Sequence, residues 1–162
     1  MTLKRTLAFA ALAVTLPVMV SAGTDSDKLQ RGAYLAQIMD CAGCHMPRGA
    51  GGEPLADAGL SGGNIGFEMA DGTIWPPNLT PHATGLGGWT SAQIINAVRY
   101  GVRPDGRALS PAMPWMAYSA LTPEDAGALA AYLMSVEPVE RTSPDPSKSD
   151  HSAPFYRVVV PD

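Results

Sequence analysis

The chain has two cysteines, and they stand two residues apart with a histidine directly after the second: Cys41-Ala42-Gly43-Cys44-His45. No other feature constrains the fold as much, because this pentapeptide is the attachment signature of a covalently bound c-type haem. Each thiol can add across one vinyl group of the porphyrin, and His45 is then placed under the iron as its proximal ligand. The fold has to close around a large, flat, apolar ring.

Two other readings of the motif compete. A thioredoxin-like redox pair wants a βαβ context, whereas here an amphipathic helical stretch precedes the motif and a glycine-rich loop follows it. A structural zinc site needs four convergent ligands, and the remaining histidines, His82 and His151, stand alone with no second cysteine pair.

Residues 1–22 read as a secretory signal peptide. Lys4 and Arg5 form its basic start, Leu7 to Val20 its apolar core, and Val20-Ser21-Ala22 a small-residue cleavage site. Pro17 interrupts an apolar run already shorter than the roughly 20 residues that span a bilayer, so no membrane span is expected in the mature chain. Export to the periplasm follows. Both cysteines belong to the haem motif, so no disulfide is available, and thiols that end as thioethers suit an exported protein.

Removing the signal leaves 140 residues, enough for one domain and thin for two. Lys4 and Arg5 leave with it, which takes the net charge from −4 to −6. Nucleic acid is excluded as a partner by that charge, and other redox proteins fit better. The expected organisation is a haem domain over residues 23–138 and a proline-rich tail over 139–162.

Within the domain, Asp25 to Asp40 carries Leu29, Ala33, Ala36 and Met39 at helical spacing, with Ser26 or Asp25 as cap, and runs straight into Cys41. Gly32 costs about 1 kcal/mol there relative to alanine, which a closely approaching helix would explain. From Met46 to Gly88 lie 11 of the chain's 17 glycines and no apolar period. A loop so long argues against a compact domain unless haem supplies the core, and Arg48 to Gly63 is its least self-ordering part. Thr90 caps a second helix with Ile94, Val98 and Val102 on one face and Gly101 as its stop. Pro104-Asp105-Gly106 is a turn. Thr122-Pro123-Glu124-Asp125 opens a third helix that buries Ala126, Leu129, Ala130 and Leu133 and ends at Pro138. In the tail, Tyr156 to Val160 is the one β-like run.

The residue opposite His45 decides what the haem can do. A methionine thioether raises the potential and closes the iron to small ligands, whereas an open iron permits oxygen or peroxide chemistry. Met39, Met46 and Met134 are placed as core or surface residues. Met113 and Met116 lie in Leu109-Ser110-Pro111-Ala112-Met113-Pro114-Trp115-Met116, where prolines stiffen an irregular segment. Met113 is the expected ligand and Met116 the alternative; His82 or His151 would give a bis-histidine iron. An enzyme or gas sensor would need a polar distal residue, for which this segment offers Ser110 and Tyr118.

The runs Asn78-Leu79-Thr80-Pro81, Thr84-Gly85-Leu86-Gly87-Gly88-Trp89-Thr90, Gly101-Val102-Arg103-Pro104-Asp105-Gly106-Arg107, Ala112-Met113-Pro114-Trp115, Leu121-Thr122-Pro123-Glu124-Asp125 and Ala131-Tyr132-Leu133 complete the pattern. Together they resemble a class I cytochrome c, and more narrowly the haem domains in cytochrome subunits of periplasmic alcohol, aldehyde and related dehydrogenases. The resemblance covers nearly the whole mature chain. It implies an all-α cytochrome c fold, three main helices and long loops wrapped around one covalent haem c, with Met113 as distal ligand. It also implies that the first helix crosses the last, Gly32 admitting Tyr132 or its neighbours. His82 stands where the family usually has an acid. One haem motif stands where many such subunits carry three, which favours a small separate carrier.

The reading is therefore a periplasmic electron-transfer protein rather than an enzyme, with Cys41, Cys44, His45 and Met113 holding haem. It takes electrons from a periplasmic dehydrogenase and passes them to a terminal oxidase or another cytochrome; the alternative is a haem-bearing subunit bound to one dehydrogenase, with the tail as anchor. Trp75 and Trp89 can donate an indole N–H to a haem propionate, and Arg99, Arg103 and Arg107 can offset propionate charge. The second ring nitrogen of His45 needs a loop carbonyl, expected near Pro54.

Overall fold

The computed structural model describes residues 24–69, 72–144 and the backbone of 155–157; the expected signal peptide and His151 lie outside the described residues. Five helices appear among them: α1 (Asp25–Ile38), α2 (Cys41–His45), α3 (Ser91–Tyr100), α4 (Trp115–Tyr118) and α5 (Pro123–Ser135). The three long ones, α1, α3 and α5, are the three expected helices, and the class is all-α.

Thr24, not Asp25 or Ser26, caps α1. Its hydroxyl accepts from Asp27 N at 3.2 Å while the Asp27 carboxylate accepts from Thr24 N at 2.9 Å, a reciprocal capping box. Nor does the helix run into the haem motif. It stops at Ile38, and Asp40 takes a left-handed conformation (φ 53°) before the chain turns helical again at Cys41. Aspartate tolerates that region better than most side chains.

Helix α1 crosses α5 at Gly32, which is buried. A Cβ there would lie 2.6 Å from Tyr132 Cβ and overlap the Ala128 carbonyl oxygen, so only glycine fits. Across the same crossing, Arg31 Nε meets Asp125 Oδ1 at 2.7 Å. Thr122 caps α5, and Ala126, Leu129, Ala130 and Leu133 are buried as the spacing required. The helix ends at Ser135, ahead of Pro138. Thr90 and Gln93 form the capping box of α3, and Gly101 (φ 67°) stops it. Val102 therefore falls outside the helix and is exposed, while Ala97 takes the third buried place beside Ile94 and Val98. Leu60 and Leu86 carry the glycine-rich region into the core formed by Leu35, Ile94, Leu129 and Leu133.

That region also holds a small sheet that the sequence did not reveal. Strands β1 (Gly66–Met69) and β2 (Gly72–Ile74) pair antiparallel, and β3 (Phe155–Arg157) adds in parallel to β1 with Phe67 opposite Tyr156. β3 overlaps the β-like run in the tail. Strands of three or four residues are too short for alternation to show. Arg48 to Gly63 is tied down by polar contacts: Arg48 pairs with Pro54, Gly49 N donates to Glu53 O, and Asn64 bonds both the N–H and the carbonyl of Arg48 at 2.8 Å. No helix among the described residues is long and apolar enough to cross a membrane.

Candidate haem site

Helix α2 holds both cysteines and the histidine on little more than one turn. Gly43 leaves room for the Asp40 carboxyl group, whose carbon would lie 2.6 Å from a Cβ there. Gly62 and Gly63 lie against the outside of the turn: Gly62 N donates to His45 O at 2.8 Å, and a Cβ on Gly63 would overlap Cys44 O.

His45 is 7% exposed. Its Nδ1 donates to Pro77 O at 2.8 Å, which leaves Nε2 unprotonated with its lone pair free. Burial lowers the ring's pKa, and the Pro77 bond only partly opposes this, so the imidazole stays neutral as a ligand must. The carbonyl expected near Pro54 is thus Pro77, because the chain returns to the histidine only after the β1–β2 hairpin. Prolines at 76 and 77 give a rigid corner with no N–H of its own to satisfy, the one sequence signal that marks it.

The environment of the two thiols is unlike that of a thioredoxin-like pair. Burial pushes the Cys41 thiol up to about 11, and burial followed by the Asp40 charge raises Cys44. A thioredoxin-like pair needs the opposite shift. No group of three or more His, Cys, Asp or Glu side chains gathers as a metal-ion site among the described residues.

Met113, the expected distal ligand, is half-buried in a segment held by two consecutive turns, Met113 N to Ser110 O at 3.0 Å and Trp115 N to Met113 O at 2.8 Å. Met116 is 53% exposed. Met39 and Met134 pack on the core. The Tyr118 hydroxyl donates to Met39 O at 2.8 Å, so α4 is tied to the chain two residues ahead of Cys41. His82 is engaged in its own turn, its Nδ1 accepting from Thr84 N at 3.2 Å and lying 2.9 Å from Thr84 Oγ1.

Among the described residues, the buried side-chain polar atoms left without a hydrogen bond are Ser61 Oγ, Trp75 Nε1, Arg99 Nε, Arg103 Nε and Trp115 Nε1, and of these Arg103 Nε lies 3.6 Å from Asp105 Oδ2. Four are N–H donors, and the Ser61 hydroxyl can donate or accept. An unpaired buried donor costs about 1–3 kcal/mol, so the two indole N–H groups suit a group that brings carboxylates, as haem does. Trp75 has the unpaired indole that the sequence assigned equally to Trp89; Trp89 is only partly buried, with the Arg103 guanidinium 5.9 Å over its ring. Trp115 was missed, since nothing in its spacing marks a buried N–H. Arg107 is spent on Asp105, with Nη2 2.7 Å from Oδ2. The spacing of Cys41 and Cys44, the neutral His45 and these donors all suit a covalent haem c.

The cytochrome c family model matches residues 29–137. The chain is 42% identical over 132 residues to the fructose dehydrogenase cytochrome subunit of Gluconobacter japonicus, covering 80% of this chain and 25% of the relative. It is 37% identical over 151 residues to the alcohol dehydrogenase (quinone) cytochrome c subunit of Gluconacetobacter polyoxogenes, covering 91% and 31%. With the gluconate 2-dehydrogenase cytochrome c subunit of Pantoea cypripedii it shares 37% over 142 residues, covering 86% and 29%. The chain thus spans between a quarter and a third of the length of these relatives.

Proposed function

The chain belongs to the cytochrome c family, and from that membership we propose that it is the haem-bearing subunit through which a periplasmic dehydrogenase discharges single electrons. Its homology to cytochrome subunits of dehydrogenases favours this over the free carrier that a lone haem motif implied. One haem c, bound through two thioethers, supplies a ferric/ferrous couple. Cys41 and Cys44 hold it, His45 Nε2 is the proximal ligand, and Met113 is the distal ligand that excludes small molecules. Trp75 and Trp89 face the propionates as donors, and the shell of Leu35, Leu60, Leu86 and Leu129 keeps water away. Substrate chemistry belongs to the dehydrogenase; electrons leave to an oxidase or another cytochrome. The observation that carries the subunit reading is the 37–42% identity to cytochrome subunits of three dehydrogenases; the buried His45 whose Nδ1 donates to Pro77 O supports the haem ligation.

The test is absorption spectroscopy of the purified holoprotein joined to gel filtration of periplasmic extract. A low-spin spectrum unmoved by carbon monoxide, and co-elution with a dehydrogenase whose substrate reduces the haem, are expected. A carbon monoxide shift in the unaltered protein would mean an open iron and an enzyme or sensor. Elution alone, with the haem still reducible by added dehydrogenase, would restore the free carrier.

A further inference from the structure

The corner that holds His45 is itself held from outside the haem domain. Pro77 offers its carbonyl to His45 Nδ1 and, as a proline, has no N–H with which to anchor itself. Its two neighbours are anchored instead. Pro76 O accepts from Gly63 N and from Ser143 Oγ, each at 3.0 Å. Asn78, 2% exposed, donates Nδ2 to Val139 O at 2.7 Å and to Thr84 Oγ1 at 3.1 Å, while its Oδ1 accepts from Thr80 N and Thr80 Oγ1, both at 2.8 Å. Val139 N returns to Thr80 Oγ1 at 3.1 Å, and Arg141 N reaches Thr84 Oγ1 at 3.2 Å.

We propose that Val139 to Ser143 form a strap that sets the strength of the His45–Pro77 hydrogen bond, and so the electron donation from imidazole to iron, with Asn78 and Ser143 as positioning residues. The inference rests on the proposed ligation by His45. A firmly placed carbonyl draws the Nδ1 proton, makes the ring a stronger donor and favours ferric iron. Freeing Pro76 or Asn78 lets the Pro77 carbonyl drift, weakens that pull and raises the potential. The tail residues thereby act on the haem without touching it.

The experiment compares holoprotein carrying Ser143→Ala, Ser143→Thr or a stop after Pro138 with the unaltered chain. Two quantities are read: the midpoint potential, and the solvent exchange of the His45 Nδ1 proton by NMR of the ferrous form. Ser143→Ala should raise the potential and speed exchange about fivefold, the shift expected from one lost net hydrogen bond. Ser143→Thr should restore both, and the truncation should exceed both. If the truncated chain does not fold, the alanine and threonine pair decides. Stability that falls while potential and exchange stay unchanged overturns the strap alone. An Nδ1 proton that lacks a haem ring-current shift in the unaltered protein overturns the ligation by His45 and the strap with it.

Discussion

Gly32 and Tyr132 share one crossing point: a Cβ added to the glycine would stand 2.6 Å from the Cβ of the tyrosine. The obstacle is backbone as well as side chain, since Ala128 O fills the same space, and neither can withdraw without moving α5. Gly32→Ala should therefore destabilise the protein by about 3 kcal/mol despite the better helix propensity of alanine. Thermal melts of the holoprotein check this; an unchanged or raised midpoint would mean that the helices can slide apart at no cost.

Replacing Met113 with alanine should open the iron. The ferrous variant is expected to bind carbon monoxide and to have a lower midpoint potential, whereas Met116→Ala, at an exposed position, should leave spectrum and potential as they are. Carbon monoxide titration of both variants decides between the two methionines.

Trp75 is buried, and its indole N–H has no hydrogen-bond partner among the described residues. Trp75→Phe should remove a donor from a propionate in the holoprotein, leave that negative charge less compensated and lower the midpoint potential. Redox titration of the variant checks this; an unchanged potential would remove Trp75 from the haem site.

The Arg31–Asp125 pair gives a pH signature. Hydrogen bonding from Arg31 holds the Asp125 carboxyl below its ordinary 3.8. A carboxylate depressed by folding adds stability that is complete above 3.8 and disappears as the pH falls through the lower folded value. Asp125→Asn should be less stable at pH 7, and the gap should close below pH 3.8. Because Arg31 is half-exposed, the gap should also shrink in high salt. Denaturant midpoints across pH and salt measure it.

His82 caps its own turn: Nδ1 accepts from Thr84 N at 3.2 Å, as a carboxylate oxygen would. His82→Asp or His82→Asn should leave stability unchanged within about 0.5 kcal/mol, while His82→Ala, which removes the hydrogen bond from Thr84 N, should cost about 1 kcal/mol. Urea midpoints of the three variants are the check.

The helical part of the molecule was legible because its signals are local. Thr90, Thr122 with Pro123, and the spacing of Leu129 and Leu133 each act within a turn or two of themselves. The site was legible only where its chemistry is contiguous, as in Cys41 to His45. Pro77 was not, since it meets His45 across 32 residues and through a carbonyl that every residue type has. Thr24 was passed over for Asp25 because any of several adjacent small polar residues could cap α1. The sheet escaped because its strands are short and one is borrowed from the tail.

The left-handed turn at Asp40 gives the attachment arm a heading of its own. α1 settles on α5 along one axis, and the two thiols leave along another, with a single residue as the joint. Packing of the first helix and presentation of the thiols are thus set by different residues, Gly32 for the one and Asp40 for the other.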